Sequence, residues 1–129
     1  MSAPNSGNIP SGVDANSLSQ INSQQRTHLL EGDGTGGGHG TGRGLSGKSE
    51  FPPQWSDDEA INYISEVIQD PNSIWLQQTG KPGAKYTKTG KPVRWQIDGT
   101  RDGVNIRIIV EPDGKGVITA FPTNIPQNP

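Results

Sequence analysis

Nine of the chain's 18 glycines fall between residues 32 and 47. No regular element tolerates that density, because each glycine inside a helix or strand costs about 1 kcal/mol. The stretch must therefore be a loop, and it splits the 129 residues into a polar front and a richer back section. The chain's two histidines, His28 and His39, bracket the first part of it. The glycines then run directly into Gly47-Lys48-Ser49-Glu50-Phe51-Pro52.

In front of the loop, residues 1–25 are dominated by Ser, Asn, Gln, Pro and Gly, with isolated Val13, Leu18 and Ile21. A segment so poor in apolar side chains cannot offset its ordering entropy, which predicts a flexible linker over 1–25. Leu18, Ile21 and the run to His28-Leu29-Leu30 permit a short helix before the glycines. Residues 26–129 carry all three tryptophans and have enough apolar surface for one small domain.

Behind the loop the pattern sharpens. Ser56 with Glu59 forms a capping box, and Asp57 and Asp58 suit the positive end of a helix dipole. Ile61, Ile64, Val67 and Ile68 recur on one face and Pro71 stops the run, which predicts a helix over about 57–69. Trp75 and Leu76 then start a strand. Segment 79–92 repeats Thr-Gly-Lys-Pro at Thr79 and Thr89 and reads as an exposed basic loop. Alternation over 93–97 and 104–108, with a further run over 117–121, gives half-buried strands, and Asp113-Gly114 supplies a turn. Helices first and an antiparallel meander last make an α+β domain.

Charge and composition remove several function classes. There is no cysteine, so disulfides and thiolate zinc sites are excluded. No stretch resembles a signal-peptide core or a membrane span. The net charge of −2 argues against a generic nucleic-acid binder, but its distribution is uneven. Residues 31–70 hold eight acids against Arg43 and Lys48, whereas 79–107 hold seven bases against Asp98 and Asp102. A basic half of this kind, Lys85, Lys88 and Lys91 included, can track a phosphate backbone or can simply be a solvated loop.

Gly42-Arg43-Gly44-Leu45-Ser46-Gly47-Lys48-Ser49 matches the phosphate-loop pattern in full. That loop needs a buried strand before it and a helix starting at its Lys-Ser. Glycines precede it here and Pro52-Pro53 follow, so the match fails. His28, Glu31, Asp33 and His39 offer ligand types suited to zinc or manganese, without a familiar ligand spacing. Two imidazoles and a lysine also suffice for metal-free cleavage of RNA. One ring takes a proton, the other gives one, and the ammonium steadies the phosphate's growing charge.

Four blocks in order resemble the bacterial EndoU nuclease family, the C-terminal toxin domains of contact-dependent and other polymorphic toxins. They are Arg26-Thr27-His28-Leu29-Leu30-Glu31-Gly32-Asp33, Gly36-Gly37-Gly38-His39, residues 47–52 with Trp55-Ser56, and Val117-Ile118-Thr119-Ala120-Phe121-Pro122. The resemblance covers roughly 26–125. It implies a helical N-terminal lobe, a β-sheet C-terminal lobe and a site in the groove between them. It further implies an endoribonuclease needing no metal or other cofactor, which leaves 2′,3′-cyclic phosphate and 5′-OH ends, often at uridine.

By the same resemblance His28, His39 and Lys48 match the catalytic set, with His39 as base and His28 as acid. Thr119 matches the family's hydroxyl residue near the substrate. The family usually has tyrosine two residues further on, where this chain has Phe121, a base platform without a hydroxyl. The implied partners are RNA, tRNA among the candidates, and a cognate immunity protein, with the domain monomeric and not membrane-bound. The implied setting is a larger secreted toxin that delivers the domain to a target-cell cytoplasm. A non-catalytic RNA-binding or protein-interaction module on the same scaffold is the alternative.

Overall fold

The computed structural model describes residues 7–32 and 36–129. Three helices precede a four-stranded antiparallel sheet. The helices are α1 (Ala15–Leu18), α2 (Ser23–Glu31) and α3 (Asp57–Gln69). The strands β1 (Ile74–Gln77), β2 (Trp95–Arg101), β3 (Val104–Glu111) and β4 (Gly116–Pro122) lie side by side in chain order. The α+β expectation holds at this level.

α3 begins where its capping box predicts, with Ser56 accepting from the Glu59 amide and Glu59 accepting from the Ser56 amide. α2 starts on a second capping box, between Asn22 and Gln25. Leu29 and Leu30 of α2 and Ala60, Ile64, Val67 and Ile68 of α3 are buried against one face of the sheet. That face presents a row of paired residues, Trp75, Ile97, Ile108 and Ala120, all buried. Gly99 lets α3 approach closely, because a Cβ there would stand 2.7 Å from Val67 Cγ1.

β2 and β3 join through Asp102-Gly103, both at positive φ, the tight-turn geometry that matches strand twist. β3 and β4 pair with one irregularity. Ile109 faces Thr119 and Val110 faces Val117, so Ile118 has no opposite residue. An extra residue of this kind flips every later side chain to the other face of the sheet. Val117 and Ala120 therefore both point into the core, and Thr119 and Phe121 point out of it.

The linker expected over 1–25 gives way, from Gly7 onward, to a packed segment. Leu18 is buried, and Ile9, Val13, Ala15 and Ile21 pack against the core. The Asn8 amide donates to the Pro71 carbonyl at 3.0 Å, and Ser65 Oγ donates to the Ser19 carbonyl at 2.8 Å. These apolar residues act singly, at irregular spacing, so no periodicity announces them.

Candidate active site

The end of α2 places the first histidine. His28 sits in the last turn, half-buried, and the final carbonyls of a helix lack partners within it. Here the glycine loop folds back and supplies them. The Gly38 amide donates to the Leu29 carbonyl (2.9 Å) and also reaches that of His28 (3.2 Å). The His39 amide donates to Leu29 O at 2.8 Å and the Gly40 amide to Leu30 O at 3.0 Å. The two histidines, eleven positions apart in the chain, are thereby set beside one another by main-chain bonds.

Glycine is required for this close approach. A Cβ at Gly37 would lie 1.8 Å from the His28 carbonyl oxygen, and φ there is +77°. A Cβ at Gly36 would lie 3.9 Å from His28 Cε1, so this glycine too stands beside the imidazole. Arg43 secures the outer turn of the loop by hydrogen bonds to Glu31, Asp57 and the Thr41 carbonyl. Those carboxylates raise its pKa further above an already high value.

His39 is the buried member of the pair, only 7% exposed. Its Nδ1 lies 2.6 Å from the carbonyl oxygen of Ser49. A carbonyl only accepts, so Nδ1 carries the hydrogen and the neutral ring keeps its lone pair on Nε2. Burial lowers the His39 pKa below its ordinary 6.5. The Ser49 bond opposes that shift, while the charges of Lys48 and then His28 add to it. An imidazole held neutral with a free Nε2 is chemically a base.

Residues 48–51 are the brace that brings the remaining groups in. The Phe51 amide donates to the His39 carbonyl at 2.9 Å, and Ser49 Oγ donates to the Pro122 carbonyl at 3.1 Å. The brace thus joins the glycine loop to the end of β4. There Phe121 turns its ring toward His39, with centroids 5.3 Å apart and planes tilted by 35°. Thr119 Oγ1, two residues earlier on the same face, is buried and has no hydrogen-bond partner among the described residues. A hydroxyl in that condition is ready to bond an incoming group.

His28, His39, Lys48 and Phe121 are accordingly gathered at one seam, between the end of α2 and the outer side of β4, with Thr119 on the same strand. Lys85, Lys88 and Lys91 are not. They lie exposed in the connection from β1 to β2, at the end of the sheet where β3 turns into β4 and Pro92 lies against Gly114. There a small hairpin, with Val93 N donating to Lys85 O and Thr87 N to Lys91 O, holds them out. Asp33, one of the possible metal ligands, lies outside the described residues. Among those described, no group of three or more His, Asp or Glu is gathered to hold a metal ion. No described helix is long and apolar enough to cross a membrane.

Sequence reasoning did not find Ser49, Glu50 or Asn128. Ser49 acts on His39 through its main-chain carbonyl, which has no sequence signal. Glu50 and Asn128 serve the loop, Glu50 accepting from the Gly42 and Gly44 amides and Asn128 donating to the Leu45 carbonyl.

The family model described as bacterial EndoU nuclease matches residues 34–124. No curated protein and no solved structure matches the chain.

Proposed function

The chain belongs to the bacterial EndoU nuclease family, and on that footing we propose that it is a metal-independent endoribonuclease of EndoU-type fold. His39 Nε2 removes the proton from a ribose 2′-OH. The freed oxygen attacks the adjacent phosphorus, and the P–O5′ bond breaks. His28 donates a proton to the departing 5′-oxygen, leaving a 2′,3′-cyclic phosphate and a 5′-OH. Lys48 offsets the extra negative charge on the non-bridging oxygens in the transition state. Phe121 stacks on a base and Thr119 Oγ1 bonds to it. Lys85, Lys88 and Lys91 touch phosphates of flanking RNA, outside the reacting centre.

One observation carries this reading. The Nδ1–Ser49 bond fixes the His39 tautomer so that Nε2 is left as a base, with two cationic or potentially cationic side chains beside it. We further assign the domain to the toxin branch of the family, delivered by a larger secreted protein into a competitor's cytoplasm and restrained at home by an immunity protein. The rival reading, an RNA-binding module without catalysis, draws on Phe121, which lacks the tyrosine hydroxyl.

The test is incubation of the protein with total cellular RNA, with and without chelator, followed by mapping of product ends. Cyclic phosphates formed in the presence of chelator are expected, and DNA should resist because it has no 2′-OH. His28→Ala and His39→Ala should each slow cleavage by about 10²- to 10⁴-fold. Intact RNA would overturn the enzyme reading in favour of the binding module. Rescue of a chelated sample by zinc or manganese would favour a metal site.

A further inference from the structure

Lys48 is tied down by a part of the chain that lies beyond the family match. Asn128 exchanges main-chain bonds across Lys48: its amide donates to the Lys48 carbonyl at 2.8 Å, and its carbonyl accepts from the Gly47 amide at 2.9 Å. Its side-chain amide makes two more bonds, to the Leu45 carbonyl at 3.0 Å and to Glu50 Oε2 at 2.9 Å. Glu50 in turn accepts from the amides of Gly42 (2.9 Å) and Gly44 (2.5 Å). The Asn128 bond, followed by those from the glycine amides, keeps the Glu50 carboxyl below the usual carboxylate range.

The geometry points to Asn128 as a positioning residue for Lys48, a reading that rests on the ribonuclease function proposed above. A lysine on a glycine-rich turn has no intrinsic reason to hold one place. Gly44 and Gly47, both at positive φ, leave that turn with wide conformational freedom. Residues 48–51 are bonded to His39 on one side, through Ser49 O and Phe51 N, and to Asn128 on the other. Asn128 thus fixes where the ammonium-bearing residue stands relative to the imidazole. A shift of about 1 Å in such a group can cost about 100-fold in rate.

Asn128→Asp isolates this role. It preserves the side chain's size and the main-chain exchange, and it replaces the donating amide by an oxygen facing Leu45 O and Glu50. With fold confirmed by an unchanged far-ultraviolet dichroism spectrum, we expect kcat to fall about 10- to 100-fold and KM to move less than about threefold. Glu50→Gln, which weakens the same bracket from its other side, should give the same kcat-dominated loss. In Lys48→Ala the additional Asn128→Asp change should cost nothing more, because its effect acts through Lys48. Full kcat in Asn128→Asp, or losses that simply multiply in the double variant, would overturn the positioning role. Lys48→Ala at full speed would instead remove Lys48 from catalysis, so failure of the underlying reading is told apart from failure of the bracket.

Discussion

Nδ1 of His39 donates to the carbonyl oxygen of Ser49 across 2.6 Å, which leaves the neutral ring's lone pair on Nε2. Because burial, with Lys48 and His28 behind it, depresses the pKa of this ring, the base stays unprotonated below its ordinary 6.5. The acid limb of the kcat/KM profile should therefore fall below pH 6.5. The same shift makes stability pH-dependent. Between the folded value and 6.5 the unfolded chain binds a proton that the folded chain excludes, so stability is full above 6.5 and declines as pH falls through that window. Urea unfolding at pH 7.5 and at successive values below 6.5 would check the sign.

Phe121 covers His39 at 5.3 Å between ring centroids. Removing the ring in Phe121→Ala should admit water, weaken the largest cause of the depressed pKa, and move the acid limb toward higher pH. KM should rise as well, since stacking on a base contributes about 1–3 kcal/mol. Phe121→Tyr should leave the limb in place. A limb that stays put in the alanine variant would show that Phe121 is not what shields the imidazole.

Gly37→Ala tests the main-chain link between the histidines. Its Cβ would fall 1.8 Å from the His28 carbonyl oxygen at a φ of +77°. The loop must then retreat and forfeit the bonds from Gly38 and His39 to Leu29, each contributing about 1 kcal/mol. Loss of cleavage with a destabilisation of about 2 kcal/mol or more is expected, and calorimetry with an RNA assay measures both. Gly83→Ala is the matched control: it also has a positive φ, of +81°, but no atom lies within 4 Å of its added Cβ.

Neutralising Lys85, Lys88 and Lys91 together should separate binding from chemistry. None of these lysines is gathered with the histidines, so kcat at saturating RNA should hold while affinity drops. The slope of log K against log salt should flatten by up to about 2, at about 0.7 per phosphate contact on single strands. An unchanged slope identifies the loop as solvated surface.

The sequence made α3 readable almost to the residue, because capping box, acidic first turn and apolar spacing all agree there. The strands were readable as elements, though β2 begins at Trp95 and not at Val93. α2 was harder. Its Asn22–Gln25 cap uses the less familiar members of the capping pattern, and only Leu29 and Leu30 of its nine residues are buried. Packing of residues 7–25 was hidden for the same reason, since scattered apolar side chains carry no period. At the site, the side chains to which we assign the chemistry could be named in advance through the family's blocks. What holds them could not: Ser49 contributes a carbonyl, and Gly38, His39 and Gly40 contribute amides, and every residue has those.

Ile118, unopposed in the pairing of β3 with β4, is the residue whose loss that pairing absorbs most simply. Without it Val117 and Thr119 would follow each other in strict alternation, and Thr119 and Phe121 would keep the outer face they now hold. A residue inserted between Ala120 and Phe121 has no such outlet and would turn the phenylalanine ring into the core, away from His39. Length at that point of the strand therefore decides which face the ring takes.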